Sequence, residues 1–205
     1  MNMVSQGLYN NPLVAAYLFP RGESWDPVKS FERWDAGRSI YTQYWPISDN
    51  TYGTDNPYWT AYRNTIPNKK NRYMFNAGIT YNILDWMNLT ARYRLDDTDI
   101  ISEKKIYAST NDIFTEGSSK GRYDYTNYKE RQQYADVMLN IDKTINDFHI
   151  TANIGYSFSD YGQVIRGYKG PLALIPNKFS FSNIDPSKAA SIEKGGDSAI
   201  RNNAV

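Results

Sequence analysis

Arg92 and Arg94 stand two apart in the run Leu89–Leu95 (LTARYRL), so on an extended backbone both guanidinium groups leave the same face. Two fixed cations side by side suit an anion, whether a substrate carboxylate or carboxylates from another part of the protein, while solvated charge on a wet face is the competing reading. Asp96, Asp97, Asp99 and Glu103 follow, with the oxygen chemistry calcium prefers. They lack the spacing and the glycine of an EF-hand, so ordinary loop charge is the expectation and no metal is assigned. Trp45, Tyr58 and Trp59 could stack on a ligand or meet a partner, though Trp buries much area wherever it lies and local packing competes. Trp25 and Trp34 flank a short helical pattern and read as its packing face. His149 is the sole histidine, with no nucleophile, base or second ligand spaced for catalysis, and reads as a hydrogen-bonding side chain. Motifs for zinc peptidases, phosphate loops and dinucleotide folds are absent from the sequence, and Asp96 and Asp97 would point to opposite faces of a strand. No catalytic residue, no enzymatic activity and no cofactor is expected.

Stepping along the chain shows what must hold these groups. From Arg72 to Asp96 one parity carries Tyr73, Phe75, Ala77, Ile79 and Tyr81, then Met87, Leu89, Ala91, Tyr93 and Leu95. The other parity carries Asn76, Gly78, Thr80, Asn82, Asn88, Thr90, Arg92 and Arg94. A second pair repeats the scheme: Ala135, Val137, Leu139 and Ile141 precede a turn at Lys143 to Asp147, and Phe148, Ile150, Ala152, Ile154, Tyr156 and Phe158 follow it. Asn140, His149, Thr151, Asn153 and Ser157 face the other way. Period two predicts strands, and the alternation lasts for roughly 10 residues, the length a tilted strand needs to cross hydrocarbon. Short turns within each hairpin and long polar segments around them match the asymmetry of outer-membrane barrels, and Tyr73, Tyr81, Trp86, Phe148, Tyr156 and Phe158 fall where aromatic girdles meet headgroups.

The expected fold is therefore all-β, an antiparallel transmembrane β-barrel segment forming an incomplete barrel, with long extracellular loops and two short surface helices. Its expected parts are an extracellular loop region over 1–71 with room for a partial strand, a transmembrane hairpin over 72–97, an extracellular loop over 98–132, a second transmembrane hairpin over 133–158, and a loop region over 159–205 with room for another partial strand. The first 25 residues and Gln163 to Leu174 are the places for those extra strands. Asp26–Pro27 opening Val28 to Ala36 before Gly37, and Asp185–Pro186 opening Ser187 to Lys194 before Gly195–Gly196, predict the two helices. Thr115 to Tyr128 reads as a mobile exposed loop.

The chain of 205 residues is 40% apolar and 22% charged with a formal net charge of +1, so it has neither the basicity of a nucleic-acid binder nor the acidity of a solvating tail. Eighteen Tyr residues suit positions that are apolar at one end and wet at the other. With no Cys, disulfide frameworks and cysteine-based zinc sites are excluded. The longest apolar run, Leu13 to Phe19, is too short to span a bilayer and lacks the flanks of a signal peptide. An outer-membrane chain without an export signal is expected to be a piece of a longer one.

A set of short elements adds a resemblance. Asn11–Pro12–Leu13, Tyr17–Leu18–Phe19–Pro20–Arg21–Gly22, Gln43–Tyr44–Trp45–Pro46, Asn56–Pro57–Tyr58–Trp59 with Arg63–Asn64, Asn71–Arg72, Ile83 to Leu89 at the turn, and Ile175–Pro176–Asn177–Lys178–Phe179 before Ser182–Asn183 occur in an order that resembles SusC/RagA-type TonB-dependent transporters of the bacterial cell outer membrane. The resemblance implies a barrel of about 22 strands closed by an internal plug, importing glycan or peptide nutrients with a SusD-type surface lipoprotein as lid, energised through TonB by parts of the parent chain not present here. Outer-membrane lipid would be a further partner; nucleic acid would not. Departures from the family pattern are the missing plug, TonB box and C-terminal aromatic signal, so four convincing strands with two open edges are not expected to insert alone. The alternative is a secreted carbohydrate-binding β-sandwich, in which Tyr73, Phe75, Ile79, Tyr93, Ile150 and Ile154 would be buried against a second sheet. A complete barrel of about 8 strands fits the length but not the long loops.

Overall fold

The computed structural model describes residues 11–47, 54–194 and 200–204. Strands dominate it, in antiparallel sheets that do not close into a barrel. Four long strands carry the main sheet: β3 (Asn68–Leu84), β4 (Met87–Tyr107), β5 (Gly121–Ile145) and β6 (Phe148–Pro171). At 17, 21, 25 and 24 residues each is longer than the roughly 9–11 residues that cross hydrocarbon. They lie in sequence order, and two short strands, β7 (Ala190–Lys194) and β8 (Ile200–Ala204), add to β6. A separate hairpin, β1 (Glu32–Asp35) with β2 (Ile40–Gln43), precedes them.

Two-residue turns join the long strands in pairs. Asp85–Trp86 connects β3 to β4, and Asn146–Asp147 connects β5 to β6. Asn146 takes a φ of 53°, a left-handed conformation that Asn tolerates and that matches a tight hairpin to the twist of its strands. The first turn is tied to the end of β5: the Asp142 N–H donates to the Trp86 carbonyl at 2.9 Å, and the Lys143 ammonium lies 4.2 Å from the Trp86 ring centroid.

Several sequence-based boundaries are corrected. Residues 98–132 are not mainly a loop, because β4 runs on to Tyr107 and β5 begins at Gly121, leaving 108–120 as the connection. The extension is explained by continued cross-strand pairing, such as Asn127 donating to Asp99 at 2.7 Å and Tyr123 donating to Glu103 at 2.6 Å on one shared face. The polar composition that suggested a mobile loop belongs to the start of β5, where Tyr123 is buried against Leu172 and Ile184. Likewise β6 continues through Gln163 to Pro171. The helix expected over 28–36 stops at Lys29 as α2 (Asp26–Lys29), since Ser30 leaves helical geometry and Glu32–Asp35 pairs instead with Ile40–Gln43. The helix expected over 187–194 is absent: Asp185 caps a tight turn by accepting from the Ser187 N–H at 2.9 Å, and Ala190–Lys194 becomes β7. Helices form elsewhere, α1 (Pro12–Leu18), α3 (Pro57–Tyr62) and α4 (Asp112–Thr115), each entered from an Asn whose side chain accepts a backbone N–H. The partial strand expected in the first 25 residues is α1 where described, and Gly195–Gly196 lie outside the described residues.

The chain divides into two compact units, one of residues up to 69 with 101–126 and 166–192, the other of 70–100, 127–165 and 193 onward. The first has a conventional interior. Val28, Trp59, Ile106, Ala108, Phe114, Tyr123, Leu172 and Ile184 are buried there. Gly121, at φ 105°, lets β5 start against β4, since a Cβ at this position would sit 2.5 Å from the Ile106 carbonyl.

The second unit is built the other way round. Among its described residues the buried positions are Asp96, Thr98 and Asp136, and no apolar side chain is buried. Every residue of β3 is exposed on both faces. It is a single sheet layer, mostly apolar on one side of its turn-proximal stretch and mostly polar on the other, with the Asp97–Arg131 pair further along the apolar side.

Candidate functional site

The two faces of this second unit are the candidate site. On the apolar side, alternation has put Tyr73, Phe75, Ile79 and Tyr81 of β3, Leu89 and Tyr93 of β4, Val137 of β5, and Phe148, Ile150, Ile154 and Tyr156 of β6 in the open. Tyr73 is 72% exposed, Ile79 70% and Ile154 62%, a contiguous apolar surface of the kind that marks an interaction or membrane face. Phe75 and Tyr93 meet across the strands with ring centroids 6.4 Å apart, which confirms that their side chains share this face.

The polar side is a ladder of hydrogen bonds. Asn140 donates to Asn88 at 2.8 Å, and the Thr80 and Thr90 hydroxyls are 3.3 Å apart. Arg92 Nε donates to both carboxylate oxygens of Asp136, at 3.0 and 3.1 Å, and Arg72 Nε donates to Asp96 at 2.9 Å. Both carboxylates are nearly covered while their arginines stay about half exposed, so the acids are held and the cations face outward. Arg94 has no carboxylate within ion-pair distance among the described residues and lines two open depressions, one with Arg92, Tyr134 and Asp136, the other with Arg72, Asp96 and Gln132. Of the two predicted arginines, Arg92 is thus committed to an ion pair and Arg94 is available to an anion.

The predicted acidic group does not converge on a cation. Asp96 pairs with Arg72, Asp97 with Arg131, Asp99 with Asn127, and Glu103 with Tyr123 and Lys105. Alternating parity sends neighbours to opposite faces. His149 is exposed, with Thr144, Thr151 and Asp142 within 3.3 Å.

The predicted aromatics lie in the first unit and are mostly interior. Trp59 is fully buried with its Nε1 donating to Thr110 at 2.9 Å, so it cannot stack on a ligand. Tyr58 is half-buried and accepts from Trp25 Nε1 at 3.3 Å; Trp45 is half-buried beside Phe19 and donates to Thr54 at 3.4 Å. Trp34, expected to pack on a helix, is 57% exposed on β1.

The asparagines of the recurring elements turn out to be clamps. Asn56 Nδ2 donates to the carbonyls of Val28 and Tyr44 at 2.9 and 2.8 Å, its Oδ1 accepts from the Tyr58 N–H, and its N–H donates to Gln43. Asn183 makes four side-chain bonds to the backbone of Leu174, Ile175 and Lys178. Asn64 accepts from the Tyr107 N–H and the Thr110 hydroxyl. Sequence reading singled out these short elements but not their asparagines, because the partners of Asn56 and Asn64 lie on other elements and those of Asn183 on an irregular loop.

Asp55 completes the same network. It accepts from Gln43 at 2.6 Å and from the Asn111 N–H at 3.0 Å, while its second oxygen is buried without a partner. Burial pushes its carboxyl up to about 6 against an ordinary 3.8. A carboxyl raised on folding stabilises fully below the ordinary value and loses that contribution as pH rises through about 6. Asp55→Asn should therefore gain stability relative to the native chain between pH 4.5 and 7, by on the order of 2–3 kcal/mol. Thermal unfolding of both forms across that range checks it; a gap independent of pH would contradict it.

No protein-family model matches this chain, and no curated protein matches it. The functional reading thus rests on the faces and contacts described above.

Proposed function

We propose that this chain is a segment of a bacterial outer-membrane β-barrel transporter of the SusC/RagA type, importing glycan or peptide nutrients with energy delivered through TonB and a SusD-type lipoprotein as lid. The observation that carries the reading is the inverted second unit, whose apolar residues are exposed and whose buried residues are acids and a threonine. Such a layer is unfavourable in water and favourable in lipid, where Tyr73, Phe75, Ile79, Ile150 and Ile154 meet acyl chains and the Arg–Asp ladder lines a wet lumen.

Strand lengths above 15 residues and turns of two residues support it further. The open edge of β3 supports a larger barrel, because each unpaired backbone group in lipid costs several kcal/mol. In this role the sheet catalyses nothing. It walls a passage, and Arg94 offers the lumen a charge that a substrate anion or plug carboxylate satisfies. A β-sandwich lectin would need a second apolar layer over the exposed face, and none stands there among the described residues.

Uptake tests the proposal. Deleting the gene that carries this sequence should abolish growth on at least one oligosaccharide or peptide, with restoration by the intact gene. Unchanged uptake of every glycan and peptide tried would overturn it.

A further inference from the structure

The β1–β2 hairpin presents an aromatic corner that the second unit's chemistry does not explain. Trp34 and Tyr41 are direct cross-strand partners, with ring centroids 5.2 Å apart and planes at 69°. Both are about half exposed. Two rings set edge to face already satisfy each other's quadrupoles, so the pair holds its geometry while about half of each residue stays open to solvent.

Beside the corner lies a polar pair on the same strand face. Glu32 is two residues from Trp34, and Gln43 opposite it is two residues from Tyr41. Arg63 Nε and Nη2 both donate to Glu32 Oε2, at 2.7 and 2.5 Å. That leaves Glu32 Oε1 as an acceptor and Arg63 Nη1 as a donor, with no other hydrogen bond among the described residues. The Arg63 guanidinium is placed 5.9 Å from the Tyr41 ring and 5.6 Å from the Tyr107 ring. Both members of the ion pair remain about a quarter to a third exposed.

We propose that Trp34 and Tyr41, with the Glu32–Arg63 pair, form a stacking subsite for a neutral pyranose ring of an oligosaccharide. An open indole face beside one acceptor and one donor is what a sugar requires, since its axial C–H groups need an apolar floor and its hydroxyls need both kinds of hydrogen-bond partner. Because Glu32 and Arg63 cancel, a neutral sugar is favoured over a uronate. Two half-exposed aromatics offer on the order of 200 Å², against the roughly 800 Å² each partner gives to a standard protein interface. The corner fits one ring, not a protein. The inference rests on the import reading for its purpose and chooses glycan over peptide as cargo.

The test uses the whole protein expressed from its full reading frame and calorimetric titration with neutral hexasaccharides of α-linked glucose, β-linked glucose, xylose and mannose, and with a capped Gly–Ser hexapeptide. At least one sugar should bind. Trp34→Ala should then weaken it at least about tenfold, Tyr41→Ala severalfold, and Trp34→Phe by no more than about threefold, since an aromatic face is retained. Circular dichroism identical to the native protein confirms that these exposed substitutions leave the fold intact. Binding of no sugar, sugar affinity indifferent to Trp34→Ala, or Trp34-dependent binding of the peptide alone would each overturn the subsite. Uptake measured in parallel separates the two proposals. Import lost on gene deletion with Trp34-independent binding removes the subsite alone, whereas Trp34-dependent binding with unimpaired uptake removes the import reading alone.

Discussion

Ile79→Arg combined with Ile154→Arg should abolish assembly of the protein into membranes. Both isoleucines sit mid-strand on the apolar face, 70% and 62% exposed, flanked along their strands by further apolar or aromatic side chains of the same parity. A guanidinium on the lipid face of a barrel costs about 2–4 kcal/mol near the bilayer midplane, so the pair approaches the whole stability margin of a typical domain. In water the same substitutions would be beneficial, since they replace exposed apolar surface by charge. The sign of the effect therefore separates the environments. Thr80→Arg with Asn153→Arg moves each charge by one residue to the opposite face, which on the proposed reading is a wet lumen that tolerates it. The expected outcome is loss of heat-modifiable migration and of carbonate-resistant membrane association in the first double variant, with both retained in the second. If the isoleucine variant assembles as well as the native protein, or gains solubility as a folded species, the apolar face does not meet lipid.

Asn56→Ala should loosen the first unit by about 3 kcal/mol. The side chain satisfies two carbonyls, of Val28 and Tyr44, and caps α3 through the Tyr58 N–H, all in a fully buried position. Truncation removes three hydrogen bonds and strands their partners away from water, at roughly 1–3 kcal/mol for each group left unsatisfied, partly recovered by relaxation. Trp59 and Val28, both fully buried, pack in the region that Asn56 holds together, so its loss loosens their packing as well. Amide exchange in peptides covering 25–47 and 54–64 should accelerate about a hundredfold, while exchange in 72–97 stays as it was. Exchange unchanged in the first two peptides would show that Asn56 is a bystander.

Legibility in the sequence followed the range of the interactions concerned. Period-two alternation is a local property, so the two hairpins over 72–97 and 133–158, their short turns and the sharing of a face by Phe75 and Tyr93 could be read from residue order alone. The extent of the strands could not. Tyr123, Asn127 and Glu130 look like loop residues in isolation and stand in a strand where Tyr123 and Asn127 donate to Glu103 and Asp99, and Glu130 accepts from Gln163, on neighbouring strands. For the same reason Glu32–Asp35 followed a helical N-terminal signal in the sequence but was claimed by Ile40–Gln43.

The candidate site divides along this line too. Residue types and parity determined that Arg92 and Arg94 share the polar face and that Tyr73, Phe75, Ile79 and Ile154 share the other, since a strand's geometry leaves a side chain only two directions. Tertiary structure alone decided that Arg92 is spent on Asp136 while Arg94 is not, that Trp59 is sealed and Trp34 open, and that Asn56 and Asn64 hold backbone from other elements. Those outcomes depend on which groups the folded chain brings to hydrogen-bond distance and which it covers, and no local pattern encodes a distance across the fold.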